Sequence, residues 1–245
     1  DGQELGEILL PLAQVPANCQ IGDDLNVFLY HDTENRLIAT TYKPRAAVGE
    51  FGYMRVVTVN QVGAFLDWGI PKNLFVPFAQ QRERMKAGNS YIVFVYLDTL
   101  TGRLAGSSQL KKFISKQPLD LAVGQEVDLI ITEKIWVGYR AIINNAAWGL
   151  IYQNDLFEKV EIGRKTKGYI KGIPEDGKFD LLLQKPGYGK VPDVADRIMT
   201  TLTAAGGFLA VNDDTPPDEI KRLFGISKKT FKKAIGALFK ARRIT

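Results

Sequence analysis

One cysteine, Cys19, and one histidine, His31, are all that 245 residues contain of two of the most versatile ligand side chains. A lone cysteine excludes a disulfide framework and any thiolate zinc site. A lone histidine excludes histidine-rich metal centres and most catalytic triads within one chain. The GxxxxGK[ST] loop that cradles phosphates is absent. No run approaches the 18 apolar residues of a membrane span. Carboxylates are scattered, and Asp23-Asp24 and Asp213-Asp214 read as turn and cap residues. Neither a metal-binding carboxylate cluster nor a His/Lys acid–base pair is visible. The absences argue against an enzyme, a metalloprotein and a membrane protein, and they leave no cofactor to expect.

What is present is the composition of a globular protein: 45% hydrophobic, 24% charged and 10% aromatic residues. The formal net charge is +5, but it is unevenly placed. Residues 185–245 hold 12 Lys/Arg against 6 Asp/Glu, a net of +6, which leaves −1 for residues 1–184. A local excess of one sign attracts partners of the other, nucleic acid above all, although a solvated lysine-rich helix has the same composition.

The chain repeats itself. At an offset of 66 residues Pro11, Gln14, Gly22, Val27 and Tyr30 match Pro77, Gln80, Gly88, Val93 and Tyr96; with one insertion, Arg36-Leu37 matches Arg103-Leu104. A weaker third copy lies 75 residues further, with Gly63, Gly88 and Gly102-Arg103 matching Gly138, Gly163 and Gly177-Lys178. Period-two alternation in 91–96 marks a strand. The second copy reads as strands at 56–59, 64–68, 74–77, 91–96 and 103–107, with a polar stretch at 80–86. Five short strands in that length fit a small closed barrel. The third copy, 127–183, has the same order. The first copy lacks the two strands expected before Gly6 and reads as incomplete.

Beyond Gln184 the pattern changes. Residues 185–190 read as a linker. Ala195, Ile198, Met199 and Leu202 recur at helical spacing, and Gly206-Gly207 ends that helix. Residues 208–211 suit a short strand. Pro216-Pro217 opens a second helix, and Gly225-Ile226-Ser227 turns into a third with Ser227 as N-cap. Ile244-Thr245 suits a wing strand. The expected architecture is mainly β with an α-helical end: an incomplete OB domain at 1–46, OB barrels at 47–115 and 120–184, and a winged helix at 190–245.

The barrel copies resemble the S-one type (S1) RNA-binding domain, most clearly through Val56-Val57-Thr58-Val59, Gly63-Ala-Phe-Leu-Asp-Trp-Gly69, Leu74-Phe-Val-Pro77, Gly88 and Arg103-Leu104. Alternation places Ala64, Leu66, Leu74 and Val76 inside, and Phe65, Asp67 and Phe75 outside. The resemblance implies base stacking on Phe65 and Phe75, and a flat ring accepts any base face. Packing of both rings against a neighbouring domain is the other reading. Val62 and Pro77 depart from the family pattern, which commonly has an aromatic and a histidine there. Arg55, Lys72, Arg82 and Arg84 are candidate phosphate contacts. In the third copy Arg140 and Leu150 replace the two rings, but Lys167, Tyr169 and Lys171 form an outward basic and aromatic stripe preceded by Arg164 and Lys165. Phe28, Tyr30, Phe94 and Tyr96 recur at matched outward places and suit domain packing as well as binding.

The last segment resembles a winged helix whose third helix carries Lys228, Lys229, Lys232, Lys233, Lys240, Arg242 and Arg243 off its apolar face. Such a helix holds phosphates with little base readout, and winged helices also dock proteins. The whole order resembles the bacterial conserved virulence factor B family, notably in Arg36-Leu-Ile-Ala-Thr-Thr-Tyr-Lys-Pro, Ala141-Ile-Ile-Asn-Asn, Leu181-Leu-Leu-Gln-Lys-Pro-Gly-Tyr and Lys232-Lys-Ala-Ile-Gly-Ala-Leu. That resemblance implies three barrels, a cytoplasmic location and a non-catalytic, post-transcriptional role. The expected partner is RNA, single-stranded in preference, with duplex nucleic acid or a protein as alternatives at the winged helix. The chain is expected to act as a monomer.

Overall fold

The computed structural model describes every residue except 1, 2, 33, 35, 116, 118, 157, 158, 175–177 and 186–190, and leaves aside the side chains of 3 and 191–193. Residues 186–190 of the linker and Gly177 of the third copy therefore lie outside the described residues.

Strands β1 (Phe28–His31) and β2 (Leu37–Thr40) form an antiparallel hairpin. Five strands follow: β3 (Phe51–Val59), β4 (Gly63–Leu66), β5 (Leu74–Pro77), β6 (Ser90–Asp98) and β7 (Arg103–Ser107), in the sheet order β5-β4-β3-β6-β7. β7 closes against β5 at Gly106, where a Cβ would lie 2.9 Å from the side chains of Leu74 and Val76. A second set, β8 (Glu126–Ile135), β9 (Gly138–Ile143), β10 (Ala147–Tyr152), β11 (Lys165–Gly172) and β12 (Phe179–Leu182), forms a closed barrel in the same order, sealed by a parallel β10–β12 pairing. The fold is mostly β, as the alternation and the repeat had implied.

The repeats explain themselves physically. Gly63 and Gly138 open matching strands, and a Cβ there would come within 2.4 Å of the Val76 carbonyl and 2.0 Å of the Ile151 carbonyl. Gly22, Gly88 and Gly163 all adopt positive φ, which a side chain resists. A 3₁₀ turn recurs at Leu12–Gln14, Phe78–Gln80 and Gln153–Asp155. The hydroxyl of Thr40 donates to Gln14 Oε1 at 2.5 Å, and the hydroxyl of Ser107 donates to Gln80 Oε1 at 3.1 Å, one bond at matched places in two copies.

β3 starts at Phe51, five residues before the expected Val56. Its first half pairs with β6 and its second with β4, with a bulge between Val56 and Thr58. Such a bent strand serves two ladders and shows no simple polar alternation. β4 stops at Leu66; Trp68 lies beyond it, buried, donating its indole N–H to the Ala46 carbonyl at 2.7 Å.

Phe28 and Tyr30 face the β3–β7 barrel, the second of the three copies: the Phe28 ring meets Trp68 edge-on at 5.4 Å, and both join that barrel's core cluster. Phe94 and Tyr96 stack on Phe113 at 4.2 and 5.6 Å. Phe94 and Phe113 pack against Phe51, Ile92, Ile130 and Ile142, an apolar layer shared by the two barrels. Asn145 Oδ1 accepts the Phe51 N–H at 3.1 Å, and Lys165 Nζ donates to the Arg45 carbonyl at 3.0 Å. The barrels are thus fixed to one another by both packing and polar contacts.

The chain ends in α1 (Val191–Ala204), α2 (Pro217–Phe224) and α3 (Lys228–Lys240). Ser227 caps α3, its Oγ accepting the Thr230 N–H at 3.2 Å, and Gly225 turns with φ 65°. Residues 208–211 and Ile244-Thr245 are not strands. Neither finds a facing strand among the described residues to take its backbone groups. Leu209, Val211 and Ile244 instead pack on the helical core of Ile198, Ile220, Phe224 and Phe231.

Candidate nucleic-acid interface

β4 and β5 pair antiparallel with Phe65 opposite Phe75, ring centroids 5.1 Å apart at 35°. Ala64, Leu66, Leu74 and Val76 point into the core, as alternation requires, and leave both rings half-buried on the outer face. Gly63 lets the Phe75 ring lie over it, since a Cβ would meet Phe75 Cε2 at 2.7 Å. Neither ring belongs to any apolar cluster among the described residues, in contrast to Phe28, Tyr30 and Phe94. Two adjacent rings on the outer face of an OB barrel can accept stacked bases. Beside them Asp67 pairs with Arg45 at 2.6 Å, and this bond holds the Asp67 carboxyl below its ordinary value.

The cations expected around this face are differently placed. Arg55 is exposed on β3 and its Nε donates to the Gly88 carbonyl at 3.3 Å. Lys72 directs its ammonium to the carbonyls of His31 and Asp32, tying the first hairpin to the second barrel; burial is the main cause that lowers its pKa. Two backbone oxygens thus hold its ammonium where a phosphate contact was expected. Arg82 reaches Glu133 of the third barrel at 3.5 Å, and Arg84 lies over the Phe78 ring at 3.7 Å.

The stripe on β11 is also corrected. Lys167 pairs with Asp128 at 2.8 Å and approaches Glu126 at 4.0 Å; Lys171 pairs with Asp155 at 2.7 Å. Tyr169 donates its hydroxyl to Glu126 at 2.8 Å, which raises its pKa, as the Asp128 hydrogen bond raises that of Lys167. Three carboxylates on neighbouring segments balance two ammoniums, so the stripe presents no net positive field. The strand sequence cannot show this, because β8 and the turn Gln153–Asp155 supply the opposing charges.

On α3 the apolar face of Phe231, Ala234 and Leu238 is buried, and the lysines ring the other side. Lys232 approaches Asp213 and Arg243 approaches Asp196, each at 3.5 Å. Lys228, Lys229, Lys233, Lys240 and Arg242 have no carboxylate partner among the described residues. This is a cationic surface with uncommitted donors.

Sequence reasoning passed over two features. Trp136 is 95% exposed at the β8–β9 hairpin tip. A tryptophan between two strands and beside Gly138 was the available signal. A cleft of about 750 Å³ lies between the two barrels, lined among others by Tyr53, Arg82, Tyr91, Lys111, Lys112 and Trp148. No sequence signal marks it, since its walls come from segments that only the barrel–barrel contact brings together. Among the described residues no three metal-ligating side chains cluster, and no helix is long and apolar enough to cross a membrane.

Residues 1–42 and 48–107 match the S1 domain family, and residues 196–245 match the CvfB-like winged helix domain. The uncharacterized protein YitL of Bacillus subtilis is 26% identical over 249 residues, spanning 98% of this chain and 82% of its own. Conserved virulence factor B of Staphylococcus epidermidis is 23% identical over 232 residues, spanning 92% of this chain and 78% of its own. A multidomain protein with nucleic acid binding domains from Streptococcus pneumoniae is similar in structure, with 26% identity, a TM-score of 0.40, and coverage of 97% of this chain and 86% of its own. The chain therefore resembles S1 domains over residues 1–42 and 48–107 and the CvfB-like winged helix domain over residues 196–245, and over most of its length it is similar to proteins named conserved virulence factor B.

Proposed function

We propose that this protein binds nucleic acid, single-stranded RNA above all, through the Phe65–Phe75 face of its second barrel, and that α3 adds a second, electrostatic surface. The observation that carries the reading is the pair of adjacent, half-exposed rings at 5.1 Å on the outer face of an S1 barrel. Stacking contributes about 1–3 kcal/mol per base and is tolerant of sequence. Linking this face to a cationic helix in one chain raises the effective concentration of each for the other. The reading assigns no reaction, since both matched families are binding domains. It makes the protein a regulator that acts on transcripts by occupancy. The free lysines of α3 also suit a duplex, so a DNA-binding role led by the winged helix is the competing reading.

Titration of a labelled twelve-nucleotide oligouridylate against the full chain and against Phe65→Ala/Phe75→Ala tests the proposal. The double variant is expected to bind at least tenfold more weakly with an unchanged far-UV spectrum. Equal affinity overturns the stacking role. Preference of the full chain for duplex DNA over the oligouridylate favours the competing reading.

A further inference from the structure

The cleft between the two barrels has the chemistry of a nucleotide site. Its volume, about 750 Å³, falls in the range of small-ligand sites. Three aromatic side chains enter its wall from three places: Tyr53 on β3, Tyr91 on β6 and Trp148 on β10. Tyr53 is fixed by the third barrel, because Gly163 lies so close that a Cβ would come within 2.1 Å of the tyrosine ring. Charge in the cleft departs from that of the barrels as a whole. Arg82, Lys111, Lys112 and Arg140 face only Glu83 and Glu133, although residues 1–184 together carry a net of −1. Glu133 is shared by Arg82 from one barrel and Arg140 from the other, at 3.5 and 2.5 Å. Arg140 also lies over Trp148 at 5.5 Å. Lys111 and Lys112 are exposed and have no carboxylate partner among the described residues, so their ammoniums are available to an anion.

The cleft is also continuous with the Phe65–Phe75 face. Tyr53 and Arg55 are successive outward residues of β3, about 7 Å apart along an extended strand. Arg55 is joined to the β4 end through the bond from the Asp67 N–H to its carbonyl at 2.8 Å. Beyond the bulge, Thr58 of the same strand sits opposite Phe65. One face of one strand therefore runs from the stacking pair, past an exposed guanidinium, to the mouth of an aromatic, cationic cleft.

We infer that the cleft between the barrels is a second binding site for single-stranded nucleic acid, taking one unstacked base against Tyr53, Tyr91 and Trp148 with its flanking phosphates on Lys111 and Lys112. This rests on the nucleic-acid reading above and adds a second contact point on the same strand. The site depends on the barrel–barrel contact, so a single barrel lacks it. A strand held at both points is read for length: oligonucleotides long enough to reach the cleft bind more tightly than those that cover the ring pair alone.

The test uses the full chain and a labelled twelve-nucleotide oligouridylate carrying 5-bromouridine. Binding is followed by anisotropy at two salt concentrations, and photo-cross-linked peptides are mapped by mass spectrometry. Wild type, Lys111→Ala/Lys112→Ala and Phe65→Ala/Phe75→Ala are compared. The inference expects cross-links at Tyr53, Tyr91 or Trp148. It also expects a loss of at least fivefold in the lysine variant, with a salt slope shallower by about 1.4, since each single-strand phosphate contact contributes about 0.7. Cross-links confined to the β4–β5 face, with the lysine variant within twofold of wild type, overturn the cleft and leave the ring pair standing. Absence of wild-type binding at low salt overturns the nucleic-acid reading, and the cleft with it.

Discussion

Lys167 on β11 and Asp128 on β8 form an ion pair at 2.8 Å across an antiparallel ladder in which the two residues are direct partners. The outward lysine of a basic stripe is thereby balanced by the strand beside it, and Lys171 is balanced likewise by Asp155. Lys167→Ala/Lys171→Ala is expected to change affinity for single-stranded RNA by less than about twofold and to leave its salt slope unaltered, because a phosphate contact must first break these pairs. Anisotropy titrations at two salt concentrations check this, and a tenfold loss would restore the stripe to the interface.

The lysines of α3 are expected to behave differently. Lys228→Ala/Lys229→Ala/Lys233→Ala removes three cations without carboxylate partners and keeps helix propensity, alanine being the best helix former. If all three touch phosphates, the slope of log affinity against log salt falls by about 2 for a single strand and somewhat more for a duplex. Measuring the slope with both ligands shows which of them α3 meets, and an unchanged slope with both removes α3 from the interface.

Acid is expected to loosen the contact between the segment before β3 and the loop after β4. The hydrogen bond from Arg45 is the main cause that depresses the folded pKa of Asp67. A depressed carboxylate stabilises the fold above its unfolded pKa of about 3.9, and the gain is lost as pH falls through the lower folded value. The side chains are 41% and 49% exposed, so the contribution at neutral pH is small, about 1 kcal/mol or less. Asp67→Asn should melt slightly below wild type at pH 7, and the gap should close towards pH 3. A gap that is constant across that range contradicts the linkage.

Gly163→Ala and Gly124→Ala form a controlled pair. Both glycines have positive φ, at 88° and 85°. A Cβ at Gly163 would strike the Tyr53 ring at 2.1 Å, whereas at Gly124 nothing lies within 4 Å. Gly124→Ala is expected to cost about 1 kcal/mol for the backbone alone, and Gly163→Ala about 1–3 kcal/mol more, because it also disturbs the barrel contact. Denaturant unfolding of the two variants measures the difference, and equal losses would show that the barrels yield freely there.

Much of the fold was legible in the residues because the repeat carries it. Period-two alternation placed Ala64, Leu66, Leu74 and Val76 inside and Phe65 and Phe75 outside, and the strands at 74–77 and 103–107 were read with their observed bounds. Glycines in register marked the turns and close approaches that a side chain would block. The strands expected at 208–211 and 244–245 failed because a strand exists only with a partner for its backbone groups, which local propensity does not supply. β3 was read short because a bulged strand shared by two ladders breaks the alternation that reveals it.

The sequence by itself determined the periodicity of the strands, the helical end with its cap at Ser227 and the concentration of cations in residues 185–245. These are properties of neighbours along the chain. Tertiary structure alone decided which cations remain free. Asp128 and Asp155 neutralise the β11 stripe, the carbonyls of His31 and Asp32 hold Lys72, and the lysines of α3 stay largely uncommitted. It also decided that Phe28 and Phe94 pack in apolar clusters while Phe65 and Phe75, outward by alternation, join none among the described residues, and it brought Tyr53, Lys111 and Trp148 around one cleft. Charge pairing and burial act through space at a few ångströms, between residues that the sequence separates by tens of positions.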